Sequence, residues 1–339
     1  MQEARFYSRE KDSVICRLCP QECNLKEEQE GICGVRRVEG GRLLTMNYGL
    51  CGALAFDPVE KKPLYHFYPG YDILSLGSNG CNLHCSFCQN WALARGRASK
   101  ELKEISAKDL LDILGDRPAR EQLGIAYTYN EPTVWYEFVR DTAEMVAGEG
   151  YKNVLVTNGF INEEPLKELL PFIHGMNIDV KAFQDSFYRR YCHGKGYKQV
   201  LKTVELALSK CHVELTYLIV TSLNDSPEEI RNFIDWVASL DKEIPVHFSR
   251  YFPGYRLDMP PTPLEIMENA WETAREKLSY VYLGNVADDK RSSTYCPDCG
   301  QLLISRNGYR LKNIGLKDKS CKKCGHTIML TGHIYGEKV

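Results

Sequence analysis

Three cysteines crowd the segment GCNLHCSFCQN: Cys81, Cys85 and Cys88, spaced C-x3-C-x2-C, with no fourth close by. An iron–sulfur cubane presents one position per iron, and full protein ligation takes four groups, commonly thiolates. Three clustered thiolates therefore leave one iron open to a small chelating molecule. The competing occupant is zinc, with His84 or a distant cysteine as its last ligand. Zinc sites more often use C-x2-C knuckles, and C-x3-C-x2-C departs from that spacing.

Two further groups are rich in thiols. Cys296, Cys299, Cys321 and Cys324 form two C-x2-C pairs, CPDCG and CKKCG, 21 residues apart. Four thiolates at that spacing suit one tetrahedral zinc in a closed structural site, with RNGYRL as the turn of the ribbon between the pairs. Iron in a rubredoxin-like site is the alternative. Cys16, Cys19, Cys23 and Cys33 offer four more ligands, spaced x2, x3 and x9, for a structural zinc or a second cluster. Such tight spacing in a reducing compartment argues for metal or redox chemistry rather than disulfides.

The chain has 339 residues and a formal charge of -2, so no strong field toward nucleic acid or anionic membrane is expected. Arg306, Arg310, Lys312, Lys317, Lys319, Lys322 and Lys323 make one local basic stretch near the last cysteines, which keeps nucleic acid open as a partner. No apolar core follows Met1, and no run of about 18 apolar residues occurs. A cytoplasmic protein without a membrane anchor is the expectation.

What must position these residues is legible as a βα alternation. Strand-like DILSLGS, GIAYTY, NVLVTNG, MNIDVKAF, HVELTYLIV, PVHFSRYF and SYVYLGN alternate with helical KDLLDILG, EPTVWYEFVRDTAEMVAGEG, EEPLKELLPFI, KQVLKTVELALSK, SPEEIRNFIDWVASL and PLEIMENAWETAREKL. The pattern predicts an α/β fold, a partial (β/α)6 TIM-like barrel, with small cysteine-rich modules at both ends. The expected divisions are a cysteine-rich module at 1–50, a packed linker at 51–70, the core at 71–289 and a zinc-ribbon-like module at 290–339. Asn130, Glu131, Asn158, Asp179, Lys181 and His247 fall where strands end, the ligand face of such folds. Glu131 could equally cap the next helix, Asp179 and Lys181 could form an internal ion pair, and His247 could be an ordinary core histidine.

C-x3-C-x-Φ-C after the first strand of a βα body, with Phe87 as the aromatic residue and Asn90 after it, resembles the radical S-adenosylmethionine (SAM) superfamily. YNEP at 129–132 resembles the superfamily's Gly-Gly-Glu-Pro segment, with Tyr129 and Asn130 in place of both glycines. TNG at 157–159 and DVK at 179–181 resemble segments of its activating enzymes, as does His247. RLCPQECNLKEEQEGICGVR, DPVEKKPLYHFYPG, HFSRYFPGY and PPTP resemble the radical SAM member of the AmmeMemoRadiSam system, similar to pyruvate formate-lyase activating enzyme. The resemblance implies that Cys81, Cys85 and Cys88 hold a [4Fe-4S] cluster. It further implies SAM contacts from Phe87, Asn130, Glu131, Asn158, Asp179, Lys181 and His247. In that superfamily, reductive cleavage of SAM gives a 5'-deoxyadenosyl radical that abstracts hydrogen. An electron donor such as flavodoxin or ferredoxin is implied, and a protein substrate, AMMECR1-like or MEMO-like partners included. Zinc-dependent assembly or nucleic-acid binding without catalysis is the alternative, as is modification of tRNA or a small metabolite.

Overall fold

The computed structural model describes residues 1–96 and 102–336. Its centre is an eight-stranded sheet. Seven strands run parallel in chain order: Asp72–Gly77, Gly124–Tyr127, Lys152–Thr157, Gly175–Asp179, His212–Ile219, Val246–Arg250 and Val281–Gly284. The strands are buried along nearly their whole length, as expected of a sheet covered on both faces. Helices return the chain between them, which gives the α/β partial barrel that the alternation predicted.

Local signals place the helices. Ser106 and Asp109 form a reciprocal capping box at the start of Ala107–Gly115. Ser226 caps Pro227–Leu240 by accepting from the Glu229 amide at 3.2 Å, with Pro227 in the first turn. The helix expected from 131 onward is split. Pro132–Trp135 forms a tight 3-10 turn, capped at its start by the Glu131 carboxylate accepting from the Thr133 amide, before the helix Tyr136–Gly148.

The 51–70 stretch does more than pack. Ala53–Pro58 is the eighth strand, antiparallel to Asp72–Gly77 at the sheet edge. Residues 1–50 form two small three-stranded antiparallel sheets. Near the other end, Leu302–Asn307 and Arg310–Asn313 form a hairpin whose turn, Gly308–Tyr309, lies within RNGYRL.

One buried polar group ties these parts together. Glu214 is 0 % exposed. Its carboxylate accepts from the Tyr65 amide at 2.9 Å and the His66 amide at 2.6 Å, and pairs with His212 Nε2 at 3.0 Å and His247 Nε2 at 2.6 Å. His66 Nε2 meets the Tyr282 hydroxyl at 2.6 Å, and His66 Nδ1 meets the Met329 carbonyl at 2.6 Å. Arg306, 1 % exposed, donates to the Tyr65 carbonyl and stacks 4.3 Å over the Tyr65 ring. It therefore belongs to the core and drops out of the basic surface expected near the last cysteines. No helix among the described residues is long and apolar enough to cross a membrane.

Candidate functional site

The C-terminal ends of the strands surround a cavity of about 300 Å³. Cys81, Cys85 and Cys88 line it, and all three thiols are free. Gly80 turns the chain into this loop at φ +86° and abuts the first module. A β-carbon there would lie 2.7 Å from the Cys33 carbonyl oxygen, so the close approach requires glycine.

Six of the seven expected cofactor-contacting residues line the same cavity: Phe87, Asn130, Glu131, Asn158, Asp179 and Lys181. Glu131 accepts from the Thr157 hydroxyl at 2.7 Å and the Asn158 amide at 2.8 Å, besides its capping bond. Burial pushes its carboxyl above the usual range, against the pull of those donors. Asn130 is a clamp on the thiol loop. Its Oδ1 accepts from the Ser78 amide at 2.9 Å, and its Nδ2 donates to the Gly80 carbonyl at 3.0 Å. The two missing glycines of YNEP are accommodated by one strained residue, since Tyr129 takes φ +69°. Its hydroxyl is anchored on Asp57 at 2.7 Å.

Asn158 Nδ2 donates to Asn82 Oδ1 at 2.9 Å and lies 3.7 Å from the Cys81 sulfur. Lys181 Nζ pairs with Asp179 at 3.0 Å while both line the cavity, so the ion pair and the site coincide. Burial opposes the Lys181 charge, but Asp179 and Cys85 hold it well above the usual lysine range. Burial also pushes the Cys81 thiol up.

His247 stands apart. It is held by Glu214 and lines a second cavity of about 980 Å³, together with Glu60, Lys61, Tyr65, Asp288 and Tyr309. The two cavities share Ser249 and Asn285. The pattern of polar strand ends includes His247, but the strand runs Val246–Arg250, so His247 is its second residue, on the same face as Ser249 but two residues deeper in the barrel, where it joins the Glu214 network. Cys192 is the site residue that sequence reasoning underweighted. It is fully buried and donates to Cys85, which lowers the Cys85 thiol below the usual range. Its only sequence signal is YCHG after the DVK strand.

The last four cysteines converge. Cys296 and Cys324 sulfurs are 3.5 Å apart, Cys299 and Cys321 are 3.7 Å apart, and all four lie within 4.8 Å of one another. That is a cluster able to hold a metal ion. Cys16, Cys19, Cys23 and Cys33 also come together, around a small cavity of their own.

Three free thiols on one wall, with buried acceptors and one lysine opposite, fit a cluster with an open iron and a chelating amino acid. The profile of the Radical SAM superfamily matches residues 76–237. An uncharacterized protein of Methanocaldococcus jannaschii is 41 % identical over 97 % of this chain and 99 % of its own length. GTP 3',8-cyclase of Lactiplantibacillus plantarum is 23 % identical over 68 % of this chain and 74 % of its own. The pyruvate formate-lyase 1-activating enzyme of Escherichia coli is 25 % identical over 44 % and 61 %. In fold, SuiB of Streptococcus suis bound to S-adenosylmethionine superposes with a TM-score of 0.50 at 16 % identity, covering 67 % of this chain and 53 % of that one. These matches decide between enzyme and non-catalytic assembly: the chain belongs to the radical SAM superfamily and is a radical SAM enzyme.

Proposed function

We propose that this enzyme removes a hydrogen atom from a protein partner, as a radical SAM member of the AmmeMemoRadiSam kind. One observation carries the reading. The 300 Å³ cavity shares the lining residues Ser249 and Asn285 with the 980 Å³ cavity, which lies between the barrel's last strand and the C-terminal hairpin. A cleft at the upper end of the ligand-pocket range, lined by Glu60, Lys61, Asp288 and Asp289, has room for a polar side chain or a short peptide segment of a partner.

Cys81, Cys85 and Cys88 would hold the [4Fe-4S] cluster. Glu131 would accept from the amino group of SAM, Lys181 would meet its carboxylate, and Asp179 would face the sulfonium or a ribose hydroxyl. Held by these residues, the cluster and SAM would supply one-electron chemistry for hydrogen abstraction. Asn130 and Asn158 keep the thiol loop in register, and Phe87, packed 5.8 Å from Phe187, helps to shield it from water. The C-terminal quartet would hold zinc. A tetrahedral site with Zn–S bonds of about 2.3 Å has sulfurs about 3.8 Å apart, close to the observed 3.5 and 3.7 Å. Thiols that are all free agree with a cytoplasmic setting and with a flavodoxin or ferredoxin as electron donor.

The test is 5'-deoxyadenosine formation by the anaerobically reconstituted enzyme, with AMMECR1-like or MEMO-like proteins added. Turnover should rise with a protein, deuterium from that protein should appear in 5'-deoxyadenosine, and Ala287→Trp in the larger cleft should suppress the rise but not basal turnover. Stimulation by a tRNA or small-metabolite fraction, and by no protein, would overturn the reading.

A further inference from the structure

Cys16, Cys19, Cys23 and Cys33 line a closed cavity of about 10 Å³ beside Arg36 and Val134. All four thiols are free. The spacing around this void discriminates between metals. Four sulfurs on one zinc at about 2.3 Å stand about 3.8 Å apart, whereas no three of these four sulfurs lie within 4.8 Å of one another. The C-terminal quartet supplies the contrast. Its sulfurs already sit at a zinc-like spacing, and no other set of three or more His, Cys, Asp or Glu side chains among the described residues is gathered so tightly. The first quartet is splayed around a space, as the thiols of a polynuclear cluster must be, because iron and sulfide fill the middle.

The surroundings suit an anionic cluster. Arg36 is 1 % exposed, its guanidinium lies 3.9 Å from the Cys16 sulfur, and its Nε has no partner. Glu137 pairs with the same guanidinium from the other side. Glu137 supplies the counter-charge, so what remains is the buried Nε–H, which needs a hydrogen-bond acceptor that a cluster's sulfurs provide.

The cavity also touches the SAM-binding loop. His84 Nε2 bonds the Ile32 carbonyl at 2.7 Å, and Gln21 donates to the Asn82 carbonyl at 2.9 Å. Gly80, next to Cys81, packs on the Cys33 carbonyl. Val134 comes from the turn that follows Glu131.

We propose that Cys16, Cys19, Cys23 and Cys33 hold an iron–sulfur cluster that passes single electrons to the cluster at Cys81, Cys85 and Cys88. A low-potential one-electron reductant such as a reduced flavodoxin is oxidised, the first cluster is reduced, and the electron moves on to the second. No bond or proton changes hands in the relay. Binding of the cluster is independent of the proposed substrate; only the relay rests on the radical reading.

The experiment uses the full chain, reconstituted anaerobically with iron and sulfide. The triple variant Cys81→Ala/Cys85→Ala/Cys88→Ala should keep half the iron of the unmodified protein and a reduced-cluster EPR signal that SAM does not shift. Adding Cys19→Ala and Cys33→Ala should abolish that iron while C-terminal zinc persists. A triple variant that holds zinc in place of iron would overturn the proposal, as would iron that survives loss of Cys19 and Cys33. For the relay, Cys19→Ala/Cys33→Ala should slow reduction of the remaining cluster by flavodoxin at least about tenfold while reduction by dithionite is unchanged. Equal flavodoxin rates would overturn the relay. Metal content reads out the first claim without SAM turnover, so its failure is separable from that of the proposed function.

Discussion

His247 Nε2 lies 2.6 Å from the buried Glu214 carboxylate, two residues before Ser249 on the same strand and outside the lining of the three-thiol cavity. A histidine so placed holds a buried charge. His247→Ala removes one of four partners of that carboxylate and should destabilise the fold by about 1–3 kcal/mol. Basal 5'-deoxyadenosine formation per folded molecule should be retained. Chemical denaturation together with a turnover assay checks both. Loss of basal turnover at unchanged stability would return His247 to the cofactor site.

The same network predicts acid sensitivity. Burial pushes His66 down to about 4 from an ordinary 6.5. A base whose folded value is depressed contributes nothing against unfolding above 6.5, and the unfolded chain gains protons first as pH falls. Stability should therefore fall by about 3 kcal/mol between pH 6.5 and 4. Burial opposes ionisation of Glu214, but bonds from His212 and His247 hold it below the usual carboxylate range. Its contribution is present above about pH 4.5 and is lost below that. Denaturant midpoints measured from pH 8 to 4 should trace the decline, and a flat profile would contradict it.

Glu131→Ala leaves the Thr133 and Asn158 amides and the Thr157 hydroxyl without their acceptor. SAM affinity should drop by about tenfold or more, the loss of about 1.4 kcal/mol. Glu131→Gln keeps part of the bonding and should fall between. Titration of the reduced-cluster EPR signal with SAM measures this directly; unchanged affinity in both variants would remove Glu131 from the SAM site.

Gly80→Ala places a methyl group 2.7 Å from the Cys33 carbonyl in a left-handed backbone. The thiol loop should be displaced, and iron bound at Cys81, Cys85 and Cys88 should fall by more than half. Iron and sulfide analysis of the purified variant, alongside circular dichroism to show an intact fold, is sufficient.

Cys321→Ser breaks the C-terminal quartet. Zinc content should drop by one equivalent, and the thermal midpoint should fall with it, because metal binding at such a site is folding free energy. Unchanged zinc would place that ion elsewhere.

Much of this was legible before any coordinates. The βα alternation is carried by apolar strands of period-free burial and by capped helices, so order and direction followed from local signals such as Ser106, Ser226 and Pro227. The thiol loop, Glu131, Asn158, Asp179 and Lys181 were findable because they lie at strand ends. Three features were not. The edge strand Ala53–Pro58 contains a terminal proline and faces Asp72–Gly77 only through long-range pairing. His247 reads as a strand end in sequence, yet its strand runs on to Arg250 and its ring is held by Glu214, a residue 33 positions earlier that carries no motif. Arg306 looks like a surface cation until Tyr65 and Thr294 are seen to enclose it.

The bonds around His66 join an early and a late segment of the order of synthesis. Thr331 donates its amide to the His66 carbonyl at 2.8 Å and accepts from the Tyr68 amide at 2.8 Å, and Met329 meets the His66 ring. A ribosome releases His66 and Glu214 long before Thr331. Until residues 329–331 emerge, the nascent barrel carries His66 and His212 without the Met329 and Thr331 groups that complete their bonding. Completion of the fold therefore waits on this late segment, and truncation before Met329 should yield protein handled by chaperones and proteases rather than a shorter enzyme.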